Sequence, residues 1–125
     1  MRARKRFGQH FLHDAAVVER ILAAVDLKPG DAAVEIGPGH GELTGGLLRS
    51  AGRLDAIEID RDLAGSLRAR FAAGAALVLH EADALQFDWR ALAAARGVAL
   101  RVVGNLPYNI STPLLFRLLQ AAEVI

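Results

Sequence analysis

A short and mostly apolar stretch, Ala32–Ile36, runs straight into Gly37-Pro-Gly-His-Gly41. Few junctions constrain a chain more. Five residues suit a strand, and glycine reaches positive φ and lets another molecule approach the backbone without a Cβ in the way. A helix over about Glu42–Ala51 then completes a strand, loop and helix unit. The same alternation continues downstream. Leu54–Ile59, Ala76–His80 and Leu100–Val103 read as further strands, with helices over Asp62–Phe71 and about Trp89–Arg96, the latter stopped by Gly97. Upstream, Val17, Val18, Ile21, Leu22 and Val25 recur at helical spacing behind Asp14 as N-cap, and Lys28-Pro-Gly-Asp31 breaks that helix. Thr112-Pro113 opens a last helix carrying Leu114, Leu115, Leu118 and Leu119.

Strands alternating with helices predict an α/β fold with a parallel sheet, helices on both faces and right-handed crossovers. Such sheets bind ligands beyond the carboxyl ends of their strands. Gly37–Gly41, Glu58, Asp83 and Asn105–Tyr108 all fall there, so four loops are expected to share one site.

Composition narrows the class. The 125 residues suffice for one domain burying roughly two-thirds of its unfolded surface. There is no cysteine, hence no disulfide, thiolate metal site or cysteine nucleophile. No apolar run approaches the roughly 18 residues of a membrane span, and no apolar segment follows the basic start, so a cytoplasmic, soluble protein is expected. His10, His13, His40 and His80 lie on separate segments without a metal-binding pair, so no metal is expected. The net charge of +1 conceals an asymmetry. Residues 1–13 hold Arg2, Arg4, Lys5 and Arg6 and no acid, whereas the remaining 112 residues hold 11 basic and 14 acidic side chains. Such an arm suits phosphate contact, and Phe7, Phe11 and Leu12 are apolar enough to fold it over a ligand as a lid.

The glycine loop lacks one part of a dinucleotide fingerprint, whose third glycine would stand where Glu42 is. An acid in the first helical turn also repels phosphate. The compact Gly37-x-Gly39-x-Gly41 form suits an adenosyl ligand with a positive sulfonium and no phosphate. Glu58, 21 residues after Gly37, is placed to accept both ribose hydroxyls, with Asp60 as the runner-up. Asp83 is placed to accept from an adenine amine, with Glu81 as the alternative. Asn105-Leu106-Pro107-Tyr108 is the catalytic candidate. An aromatic amine is a poor nucleophile until acceptors take its N–H groups. The Asn105 side chain and a carbonyl of Leu106 or Pro107 supply them, and Tyr108 stacks on the extruded base.

Five blocks then carry a resemblance: Arg4–Leu12, Glu35–Thr44, Ile57–Asp60, Ala82–Leu85 and Gly104–Pro113. In order and spacing they resemble the ribosomal RNA adenine N6,N6-dimethyltransferases, with a Rossmann-like class I methyltransferase fold. The resemblance implies S-adenosylmethionine as cofactor and dimethylation of two adjacent adenines near the 3′ end of small-subunit rRNA, during ribosome biogenesis. It also implies cofactor contacts from Gln9, His10, Leu12, Gly37, Gly39, Glu58, Asp83, Ala84 and Asn105. Arg4, Lys5 and Arg6 would meet RNA, and the 30S subunit would be the partner. Relative to that family the chain reads as a basic arm and lid (1–13) followed by an incomplete cofactor-binding domain (14–125). The family's later strands and its helical domain are expected to be missing from this chain. A weakened or inactive enzyme, prone to self-association along an open sheet edge, is therefore expected. Competing readings are a non-catalytic RNA- or ribosome-binding module of the same fold, and a methyltransferase acting on another amine. Leu106 argues against the latter, which usually carries Asn/Asp-Pro-Pro-Tyr.

Overall fold

The computed structural model describes residues 14–71, 76–104 and 125. They form α1 (Ala15–Val25), β1 (Ala32–Ile36), α2 (Thr44–Ala51), β2 (Leu54–Glu58), α3 (Arg61–Arg70), β3 (Leu77–Glu81), α4 (Trp89–Arg96) and β4 (Leu100–Gly104). The expected last helix lies outside the described residues.

Local chemistry sets most boundaries. The side chains of Asp14, Asp60 and Asp88 cap α1, α3 and α4 by accepting from backbone N–H groups of the first turn. Gly52 and Gly97 end α2 and α4 in the left-handed region. Two expectations need correction. The first helix stops at Asp26, itself left-handed at φ 51°, two residues before the Lys28-Pro29 break. The second begins at Thr44 rather than Glu42, because Gly41 N–H bonds back to Pro38 O and holds this stretch in a turn. Glu42 thus lies before the N-cap Leu43, outside the first helical turn where it was expected to repel phosphate. The second strand ends one residue earlier than expected, at Glu58, and the third lies one residue later at both ends.

All strand pairs are parallel, in the order β3-β2-β1-β4. The chain builds outward from β1 through β2 to β3, then returns to the other side of β1. That reversal puts a crevice at the carboxyl ends of β1 and β4, where open α/β sheets bind ligands. Ile36, the last residue before the glycine loop, is in register with Gly104. Among the described strands β4 is outermost on its side.

Two apolar layers hold the sheet. On one face Leu27, Ala33, Leu43, Leu47, Ala51 and Leu54 join α1 and α2 to it. Gly46 lets the two helices approach there, since a Cβ would clash with the Leu22 side chain and force it to move. On the other face Val34, Ile36, Ile57 and Leu100 pack against Trp89, Leu92 and Ala93 of α4. Within that second layer lies a buried charge. Asp55 takes two hydrogen bonds from Arg96, Nε at 2.8 Å and Nη2 at 2.7 Å, and lies 2.8 Å from His80 Nε2. Burial pushes the Asp55 carboxyl up, but the Arg96 and His80 bonds outweigh it and hold it below the usual range.

Candidate functional site

The loop after β1 has the predicted backbone. Gly37, Gly39 and Gly41 all take positive φ, at 65°, 60° and 85°. A Cβ built on Gly39 would meet only Gly37 O, at 3.9 Å, so the space over that residue is open to another molecule. Gly37 N–H donates to Ile57 O at 2.9 Å, which stitches the loop to β2.

Glu58, the last residue of β2, is 5% exposed. Its Oε1 accepts from Gly39 N–H at 3.1 Å and its Oε2 from Asp60 N–H at 3.0 Å. Each oxygen retains a lone pair, so the carboxylate can take two further donors while staying fixed. Asp60 is committed elsewhere: its Oδ1 accepts from Asp62 and Leu63 N–H at the head of α3. Between them Ile59 is 69% exposed, an unusual position for a large aliphatic chain. The sequence carried a signal for it, an isoleucine flanked by two acids at a strand end.

Asp83 follows β3 in a tight turn, its Oδ1 accepting from Leu85 N–H at 2.9 Å and its carbonyl from Gln86 N–H at 2.9 Å. Trp89 Nε1 donates to Ala84 O at 3.4 Å, and Phe87 meets both His80 and Trp89 edge to face. The alternative acceptor, Glu81, is exposed and salt-bridged to Arg68 at 2.8 Å. His80 is likewise committed to Asp55.

Below the loop Glu35 is buried, and its Oε1 accepts from Thr44 Oγ1 at 2.7 Å. Burial pushes its carboxyl up to about 7, against the Thr44 bond, with the Glu42 and Glu58 carboxylates adding to the rise. In the sequence Glu35 stands out only as part of the Glu35–Thr44 block. An acid inside an otherwise apolar strand was the available signal.

Thus Gly37, Gly39, Glu58, Asp83 and Ala84 all stand at the carboxyl edge of the sheet. Gln9, His10, Leu12, Arg4, Lys5 and Arg6 lie outside the described residues, as do Asn105, Leu106, Pro107 and Tyr108.

The family model for ribosomal RNA adenine dimethylases matches residues 1–125. The chain belongs to this family. A ribosomal RNA small subunit methyltransferase A from Pseudomonas fluorescens is 59% identical over 124 residues, covering 99% of this chain and 46% of the relative. That from Methylococcus capsulatus is 57% identical over 122 residues, covering 98% and 47%. The chain spans about half the length of the curated relatives it matches. Among solved structures, the 23S rRNA methyltransferase ErmE aligns with a TM-score of 0.74 at 30% identity, covering 86% of this chain and 42% of that one. A dimethyladenosine transferase from Plasmodium falciparum gives 0.68 at 29% identity, covering 86% and 37%. The fold is therefore the Rossmann-like methyltransferase type, and the described residues of this dimethylase-family chain hold four of its strands.

The residues present fit an adenosyl cofactor. The open Gly39 backbone leaves room for it, and Glu58 offers paired acceptors for a diol. Exposed Ile59 offers an apolar surface to a flat base.

Proposed function

We propose that this chain is the cofactor-binding part of an S-adenosylmethionine-dependent rRNA adenine N6,N6-dimethyltransferase. Its substrate would be two adjacent adenines near the 3′ end of small-subunit rRNA, with the 30S subunit as partner and the cytoplasm as setting. The observation that carries the reading is the positive-φ glycine loop bonded to the buried carboxylate of Glu58 at the sheet's switch point, in a chain of this family.

In this reading Glu58 accepts both ribose hydroxyls, and Asp83, fixed by its turn, accepts the adenine amine. Ile59 covers one face of the adenine. Gly37 and Gly39 admit the methionine part, closed over by Gln9, His10 and Leu12 of the lid (1–13). S-adenosylmethionine, when bound, supplies a methyl group on a cationic sulfur. Asn105 and a carbonyl of Leu106 or Pro107 take the N–H groups of the target amine, raising its nucleophilicity and aligning it. Tyr108 stacks on the base, and Arg4, Lys5 and Arg6 contact RNA phosphates. The proton on the amine becomes acidic once the methyl has transferred, so no strong base is required. Residues 14–125 would be its cofactor-binding domain, and β4, outermost among the described strands, would offer an edge to a second copy.

The test is a labelled-cofactor assay on unmethylated small subunits, with binding measured separately. Glu58→Ala weakens cofactor binding by roughly 1–3 kcal/mol, the worth of a lost charged hydrogen bond. Unchanged binding would refute the ribose assignment.

A further inference from the structure

Arg70, in the last turn of α3, donates from Nη1 to the carbonyl oxygen of His40 in the glycine loop. That carbonyl and the Gly41 N–H are two ends of one peptide group. The Gly41 N–H donates to Pro38 O at 2.9 Å. Pro38 C=O in turn shares its peptide group with the Gly39 N–H, which donates to Glu58 Oε1 at 3.1 Å. A guanidinium and a carboxylate are thereby joined through two consecutive hydrogen-bonded peptide groups. Both peptide dipoles turn their oxygen towards the cation and their N–H towards the anion, so the three bonds polarise one another in the same sense. One further contact braces the arginine: its Cζ lies 5.1 Å from the centre of the Phe71 ring.

We propose that Arg70 is a positioning residue for the cofactor site, holding the glycine loop against Glu58 through this hydrogen-bond chain. The proposal rests on the cofactor reading above. Its physical reason is the freedom of the loop. Glycines at 37, 39 and 41 can leave their positive-φ states at little steric cost, and each such excursion removes the binding geometry. Pinning both ends of the 38–39 and 40–41 peptide groups removes the freedom to rotate them. Order is then present before the ligand arrives rather than imposed by it.

The test uses the full chain, 15N-labelled, with S-adenosylmethionine as the titrant. In ligand-free Arg70→Met, the Gly39 amide resonance moves upfield and exchanges faster with solvent, because its bond to Glu58 loses the cation's polarisation. Cofactor affinity falls roughly three- to tenfold, the range for a charged hydrogen bond discounted for an exposed donor. Arg70→Lys, which keeps the charge, recovers most of both effects. Combining Arg70→Met with Glu58→Gln gives a loss smaller than the product of the single losses, since each breaks the same chain. An unchanged Gly39 amide in Arg70→Met overturns the proposal, as does an equal loss in the Met and Lys variants. If Glu58→Ala weakens cofactor binding and Arg70→Met does not, the cofactor reading stands and this inference fails. If the unaltered chain takes up no cofactor, that reading fails, while the Gly39 amide still reports on the chain of bonds.

Discussion

Glu35 sits in β1 beneath the glycine loop, buried, with Thr44 Oγ1 donating to it at 2.7 Å. Replacing it with glutamine keeps a side-chain oxygen for Thr44 and removes the ionisable group. Burial lifts the folded-state carboxyl from 4.5 to about 7. Below about pH 4.5 both folded and unfolded chains hold the proton, and the group imposes no pH-dependent penalty. Between 4.5 and about 7 the unfolded chain gives it up first, so stability falls as pH rises; above that range the loss is complete. The interval corresponds to about 3 kcal/mol at about 1.4 kcal/mol per pH unit. Glu35→Gln should therefore match the unaltered chain near pH 4.5 and exceed it by up to about 3 kcal/mol at pH 8. Urea unfolding at several pH values, followed by fluorescence of Trp89, measures this, since Trp89 is fully buried and the sequence's one tryptophan. Parallel stability curves for the two proteins across that range would refute the reasoning.

Other changes test separate parts of the structure. Arg96→Met leaves the buried Asp55 carboxylate with only His80 as partner among the described residues and should destabilise by about 2–4 kcal/mol, read by the same unfolding assay. The lowered Asp55 value contributes stability that is present above 3.8 and lost as pH falls through the folded-state value. An Asp55→Asn variant should accordingly lose less stability than the unaltered chain on acidification below pH 4. Gly46→Ala drives a methyl into Leu22 and should cost about 1–3 kcal/mol, visible as a lower Tm. Asn105→Ala should abolish methyl transfer in the complete protein while leaving cofactor affinity nearly unchanged, measured by label incorporation and by titration calorimetry.

Particular residues show how far the sequence reaches. Asp14 caps the first helix as read, and Gly97 ends the fourth as read, because both effects act within a few residues of backbone. Ala32–Ile36 and Trp89–Arg96 came out with their expected limits, since apolar spacing and a neighbouring turn fix such segments locally. Glu58 was legible as a site candidate by its place at a strand end. Its bond to Gly39 was not, for that bond depends on β1 and β2 being neighbours in a given register. The Asp26 stop was also missed, because a non-glycine residue in the left-handed region carries no strong sequence mark.

The order of residues alone decided that strands would alternate with helices, where several helices would start, and that a bare backbone would follow the first strand. These depend on forces that act along the chain: steric limits on φ, capping bonds and apolar periodicity. Only the tertiary structure decided that Arg96 would neutralise Asp55 from 41 positions away, that Glu35 would be sealed beneath the loop, and that Arg70 would reach His40 across 30. Those partnerships follow from strand order and helix packing, which bring distant groups together and, at Asp55 and Glu35, seal a carboxyl away from water, where its energy becomes large.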